Sequence, residues 1–333
     1  MSSLSRTFAH HAAAVCCAVL TLPALAQGYA IVDLGAAVHP NGINAAGTVT
    51  GSVGTRAFVY SGGTLTDLGT LGGTVSVGQA INASGWVTGY STRADGTYRA
   101  FVWSAGTMAE LPTLGAAYGV GYALNDLGQV AGSSQTAGNL THAFLASNGH
   151  LLDLGTLGGD HPGWTTAAQG VNAAGQVVGY SYLPSGDFRA FVYSGGAMRD
   201  LGTLGGDWSQ AWAINASGQV TGQAYLPGNV SAHAFLHANG TMQDLGALYQ
   251  YSTGRAINGD GLVVGSANVR SPSTLMVYHA VVFRRSGPVD LNRLIAPRSG
   301  WVLGEATALN DAGQIVGTGS LHGADHGFLL TPR

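Results

Sequence analysis

Residues 203–246 read TLGGDWSQAWAINASGQVTGQAYLPGNVSAHAFLHANGTMQDLG and form one full copy of the unit from which nearly the whole chain is built. The turn Asn215-Ala216-Ser217-Gly218 gives the alignment key. Matching Asn-x-x-Gly turns at Asn44, Asn82, Asn125, Asn172, Asn215, Asn258 and Asn310 define seven copies, spaced 38, 43, 47, 43, 43 and 52 residues apart. Repeats of this length belong to solenoids or propellers.

Each copy holds four short apolar runs separated by turn residues. The first ends in the triplet before the Asn, such as Ala213-Ile214-Asn215, and the second follows at once, as in Gln176-Val177-Val178-Gly179-Tyr180. Asn bonds its own backbone and Gly accepts positive φ, so Asn-x-x-Gly joins the two as a tight turn. After a loop of variable length comes a third run, for example His142-Ala143-Phe144-Leu145. A turn such as Asn239-Gly240 then leads to the fourth, Met242-Gln243-Asp244-Leu245-Gly246. Four antiparallel strands in about 44 residues make a propeller blade. The chain opens on a stray fourth strand, residues 29–35, while its last copy stops after a third strand, 326–330. Each end supplies what the other lacks, so the expected fold is an all-β, seven-bladed propeller whose N-terminal strand 29–35 joins the C-terminal blade and removes a free sheet edge. An open solenoid would instead need polar capping repeats.

Three repeated spellings, His-Ala-Phe (142–144, 233–235), Asp-Leu-Gly-Thr-Leu-Gly-Gly (67–73, 153–159, 200–206) and Asn-x-x-Gly-x-Val-x-Gly, resemble the bacterial HAF-repeat extracellular proteins. The resemblance spans almost all of the chain after residue 26; it implies export and repeat architecture and transfers no catalytic residues. Local departures, Glu110-Leu111-Pro112, Val281 in place of Phe, and Ala247-Leu248-Tyr249, mark the third and sixth blades as the places where regularity should weaken.

Composition agrees with a turn-dense β chain: 53 of 333 residues are Gly and only 9% are charged. Residues 1–26 read as a secretory signal, with Arg6 ahead of the apolar run AAAVCCAVLTLPALA and the small-residue pattern Ala24-Leu25-Ala26 before a cut at Gln27. Both cysteines, Cys16 and Cys17, fall inside it. The expected mature protein, 27–333, is one propeller domain, secreted or periplasmic, without a disulfide or a membrane span. Every basic residue is Arg, and 16 acids outnumber 13 arginines, so no basic stripe offers itself to nucleic acid.

Arg56, Arg99, His142, Arg189, His233, His279 and His326 open the third strands, and Asp33, Asp67, Glu110, Asp153, Asp200, Asp244 and Asp290 sit in the fourth. One catalytic site needs one constellation, so a set repeated on every blade reads as structural pairing between strands or blades. Neither a nucleophile elbow nor a His-Glu-x-x-His, phosphate-loop or dinucleotide motif occurs, and no cofactor or metal is expected.

Function is sought where the repeat varies. Strand order puts the second-to-third loops and the blade connections on one face and the tight turns on the other. The connections 159–164 and 206–212 hold Trp164, Trp208 and Trp212 beside Asp160, His161 and Asp207. Aromatic faces next to carboxylates suit recognition of a carbohydrate, a peptide or a cell-envelope component; rings that only fill space between blades would have the same sequence. The leading expectation is a non-enzymatic binding propeller. Its competitors are a hydrolase or lyase using Asp160, His161 and Asp207 at the channel mouth, and a purely structural surface protein.

Overall fold

A computed structural model describes residues 28–271 and 276–333; the expected signal segment 1–26 lies outside them. Seven four-stranded antiparallel sheets form the blades, which occupy residues 38–67, 72–110, 115–155, 167–200, 209–244, 252–290 and, for the seventh, 301–332 with 29–36. Blade 5 shows the pattern: Ser209–Ile214, Val220–Tyr225, Ala232–Ala238 and Thr241–Asp244, paired in that order. First strands of successive blades touch one another around the full circle and form the inner wall. A single 3-10 turn, Leu291–Arg293, is the only helical element among the described residues.

The expected closure is present. Tyr29–Ala36 pairs antiparallel with Ala324–Pro332 in the seventh sheet, from Tyr29 opposite Pro332 to Ala36 opposite His326. Glu110 closes the fourth strand of blade 2, not of blade 3, and blades 2, 3 and 6 all keep the common strand order despite the irregular spelling. Leu111 N still donates to Ala100 O at 2.8 Å, as Leu245 N does to Ala234 O at 2.9 Å, so the backbone bonds outlast the side-chain departures.

The repeated letters acquire separate physical roles. Phe58, Phe101, Phe144, Phe191, Phe235 and Phe328 are wholly buried. The Gly of each Val-x-Gly lies against the first strand: a Cβ on Gly89 would overlap the carbonyl oxygen of Val77, and one on Gly222 that of Gln210. The first strand bulges at that level, as between Gly78 and Ala80 or Ala211 and Ala213. Bulges bend a strand and re-aim a side chain. The bulged residues Asn41, Gln79, Tyr122, Gln169, Trp212, Arg255 and Thr307 are all half-buried on the innermost strands.

Asparagine does more than turn the chain. Asn215 Oδ1 accepts from Ser217 N at 3.1 Å and Gln219 N at 2.9 Å, while its Nδ2 donates to Asn258 O on the next blade at 3.0 Å. The same donation runs from Asn44 to Asn82, Asn82 to Asn125, Asn125 to Asn172, Asn172 to Asn215 and Asn310 to Asn44, at 2.9–3.2 Å. Between blades 6 and 7, Gly259 N donates to Asp311 Oδ1 at 2.8 Å. Tight turns thus form a hydrogen-bonded belt around one face.

The charged set ties strands three and four within each blade. Arg56 meets Asp67 at 3.1 Å, Arg99 meets Glu110 at 3.1 Å, His142 meets Asp153 at 3.0 Å and His233 meets Asp244 at 2.9 Å. Arg189 lies 3.8 Å from Asp200, and His279 and His326 lie 2.8 Å from Asp290 and Asp33. Asp-Leu-Gly has a local reason too: Asp67, Asp153, Asp200 and Asp244 each accept from the N–H of the Gly two residues on, at 2.7–2.8 Å.

Candidate functional site on the loop-bearing face

The connections entering blades 4 and 5 place Trp164 and Trp208 in one continuous aromatic array. His161 packs on Trp164 with ring centroids 5.2 Å apart, and Trp164 stacks on Tyr182 at 4.8 Å and 20°. Tyr182 meets Phe188 at 5.5 Å, Phe188 stacks on Trp208 at 4.9 Å and 29°, and Trp208 meets Tyr225 at 4.6 Å. Offset and tilted geometries at these separations are favourable for aromatic pairs. Trp164, Tyr182, Phe188, Trp208 and Tyr225 are half-buried, while His161, Asp160 and Asp207 are exposed.

The carboxylates are held in different ways. Asp207 N donates to Asn229 Oδ1 at 2.9 Å, Asn229 Nδ2 donates back to Asp207 Oδ2, and Arg189 Nη1 donates to the Asp207 carbonyl. Asp160 Oδ1 lies 3.4 Å from His142 Nε2, whose other ring nitrogen faces Asp153 at 3.0 Å. His161 Nδ1 donates to Pro162 O at 2.7 Å. Among the described residues no hydrogen bond or ion pair joins Asp160, His161 and Asp207 to one another.

Trp212 stands apart from this array. It occupies the bulge of Ser209–Ile214 on the inner wall, where the Arg255 guanidinium covers its ring at 4.3 Å. Arg255 Nε in turn donates to Glu305 Oε1 at 2.6 Å, so Trp212, Arg255 and Glu305 link blades 5, 6 and 7. The connection 206–212 passes into a strand at Ser209, and the bulge turns Trp212 away from Trp208.

Sequence reasoning missed a second group of rings. Tyr90, Tyr98, Tyr118, Val120 and Tyr122 line a cleft of about 310 Å³ on blades 2 and 3. Tyr90 and Tyr98 lie 5.7 Å apart, and Tyr98 is 42% exposed. Burial, then Tyr98 and Tyr118, raises the Tyr90 phenol pKa; burial, then Tyr182 and Tyr118, raises that of Tyr180. Burial and Tyr118 likewise push up Tyr122. These phenols therefore remain protonated donors at neutral pH. Tyr180 also packs on Phe188 at 5.7 Å, which adds a further phenol to the tryptophan array. A signal for this existed: Val-x-Gly is followed by Tyr at 90 and 180 but by Ser, Thr or Gln in the other copies.

No family model matches the chain, and no curated protein matches it. Among solved structures, the β-propeller domain of the Trilobed protease from Pyrococcus furiosus is similar with a TM-score of 0.55 at 9% identity, covering 91% of this chain and 95% of that one. That domain has an open velcro topology, whereas this ring is shut by Tyr29–Ala36. An oligogalacturonate lyase solved with manganese gives 0.55 at 12% identity over 93% of this chain and 99% of its own. TolB from Acinetobacter baumannii gives 0.45 at 10% over 74% and 63%. At such identities the likeness to the first two establishes the propeller fold alone. Among the described residues no group of three or more His, Cys, Asp or Glu side chains converges as a metal site, and no helix is long and apolar enough to cross a membrane.

Proposed function

We propose that the protein is an exported binding propeller whose loop-bearing face recognises a carbohydrate, peptide or cell-envelope component, with a carbohydrate fitting best. The supporting observation is the run of packed rings from His161 and Trp164 through Tyr182, Phe188 and Trp208 to Tyr225 on blades 4 and 5, together with the tyrosine-lined cleft on blades 2 and 3 and the exposed Asp160 and Asp207. Stacked rings bind the apolar faces of sugars, while phenols and carboxylates take their hydroxyls. Export rests on the signal-like residues 1–26 and on the resemblance to HAF-repeat extracellular proteins. A glycan and peptide array probed with residues 27–333 tests the reading. Binding to one glycan class, lost in Trp208→Ala, supports it; peptide-only binding moves the ligand class, and no binding on either array overturns it.

One arrangement favours a second reading, that of a hydrolase or lyase. His142 lies between Asp153 and Asp160, which is how a carboxylate orients a histidine general base. Turnover of a glycan that binds, lost in Asp160→Asn and His142→Gln, would establish it; binding without turnover would exclude it.

A further inference from the structure

A large cavity lies away from the aromatic array. It occupies about 1410 Å³ over blade 6, on the side of the tight turns, reaching between blades 5 and 7. Arg284, Arg285, Arg333 and Tyr29 line it, together with Asp260 and Asp311.

Blade 6 breaks the repeat at this point. The turn from third to fourth strand begins with Ser61, Ser104, Ser147, Ser194 or Ala238 in other blades, followed by Gly62, Ala105, Asn148, Gly195 or Asn239 in the left-handed region. In blade 6 Arg284 and Arg285 take those places, opposite Gly287, and Arg285 is not left-handed. Both the side chains and the turn are therefore specific to this blade.

The charges in the cavity are unequally satisfied. Asp311 already accepts from Gly259 N, and the neighbouring Asp244 is held by His233 and Gly246 N. Among the described residues Arg284 and Arg285 have no ion-pair partner, and Arg284 Nε is buried without a hydrogen bond. Arg333 adds a third guanidinium to the lining, and Asp260 is the one unengaged acidic side chain there to set against Arg284 and Arg285. Burial raises the Tyr29 phenol pKa against the opposing field of Arg284, so the hydroxyl stays a donor. A buried guanidinium donor without an acceptor is costly, and a bidentate oxyanion is the group whose geometry it matches.

We propose that this groove is a binding site for an oxyanion-bearing ligand, a phosphate or carboxylate group held by Arg284 and Arg285 with Tyr29 as a neutral donor. Arg284 belongs to blade 6, whereas Tyr29 opens one terminal strand of blade 7 and Arg333 directly follows the other, so a ligand held there bridges the seam at which the ring closes. Binding to the folded form alone raises the melting temperature.

The test uses residues 27–333 with two probes, tripolyphosphate for phosphate and trigalacturonate for carboxylate, at millimolar concentration where general salt effects are small. Calorimetric titration and thermal melting are run on the parent, on Arg284→Gln/Arg285→Gln and on Arg284→Lys, each checked by circular dichroism. At least one probe should bind the parent and raise its melting temperature, with affinity falling roughly tenfold to a hundredfold in the double variant and less in the lysine variant. If neither probe binds, or if parent and either variant bind equally, the site does not exist. Glycan binding by Trp208 on the opposite face is read separately, so failure of one assignment leaves the other standing.

Discussion

Asn310 Nδ2 donates to the carbonyl oxygen of Asn44 at 2.9 Å, joining two residues 266 positions apart and completing the belt of asparagines around the turn face. Each such Asn is buried, and Asn44, Asn125, Asn172 and Asn215 each satisfy two backbone N–H groups of their own turn as well as one carbonyl of the next blade. Asn215→Ala should destabilise the protein by roughly 2 kcal/mol or more, since each buried group left unpaired costs about 1–3 kcal/mol. Asn215→Asp keeps the acceptor and loses the donor, and urea melts should place it between parent and Ala variant. Identical midpoints for parent and Ala variant would remove the belt from the account of stability.

The closing strand should matter to the whole ring. Without residues 28–36, Ala324–Pro332 becomes an open sheet edge, Tyr29 leaves the core it shares with Leu291, Leu303 and Phe328, and the Tyr29 N to Leu294 O bond is lost. The melting temperature of a chain starting at residue 37 should fall by well over about 5 °C. An unchanged melt would mean that the seven sheets do not depend on closure.

The repeated acid pairs are not equal. Asp67 is 54% exposed beside Arg56, so Asp67→Asn should cost about 1 kcal/mol or less. Asp290 is 10% exposed; burial raises its pKa, but hydrogen bonds from His279 and from the Asn292 side chain and N–H outweigh burial and hold it below the ordinary value. The unfolded chain then takes up protons first as pH falls. Stability from Asp290 is full above the ordinary carboxylate range and drains away as pH drops through the folded value. Melts between pH 7 and pH 2 should show Asp290→Asn weaker by about 1–3 kcal/mol at neutral pH and closing on the parent in acid. A gap that stays constant across that range would contradict the assignment.

Second-strand glycine is fixed by close approach of backbone. A methyl group on Gly222 would overlap Gln210 O and press on Phe235, whereas one on Gly138 meets only Thr136 Oγ1 at 3.7 Å. Gly222→Ala should cost at least about 1–3 kcal/mol, and Gly138→Ala should lie within about 0.5 kcal/mol of the parent. Equal melts for the two would show that the first strand yields easily.

Features that are local and repeated were legible in the sequence. Asn-x-x-Gly marked the turns, the stray strand 29–35 announced closure, and six acids eleven residues after six Arg or His residues, with Asp33 and His326 as a seventh pair across the chain ends, implied structural pairing. Contacts with a partner in the next copy were not legible: the Asn215 amide seeks a backbone carbonyl, which no spelling reveals. Trp208 and Trp212, four residues apart, were grouped by proximity in sequence, but a bulge sends one to the loop face and the other under Arg255. Tyr90 and Tyr180 went unread because aromatic residues in a strand ordinarily signal packing; here Tyr90 lines a cleft on blades 2 and 3 and Tyr180 packs on Phe188 of the array.

The central claim is a division of labour: repeated residues hold the ring, and rings peculiar to blades 2 to 5 bind. It is tested most directly by measuring glycan affinity and melting temperature on the same two variants, below both melts. Trp208→Ala should lose most of the affinity with the smaller fall in melting temperature, and Asn215→Ala should show the larger fall while keeping parental affinity. Parental affinity in Trp208→Ala, or equal loss of affinity in both, would contradict the account.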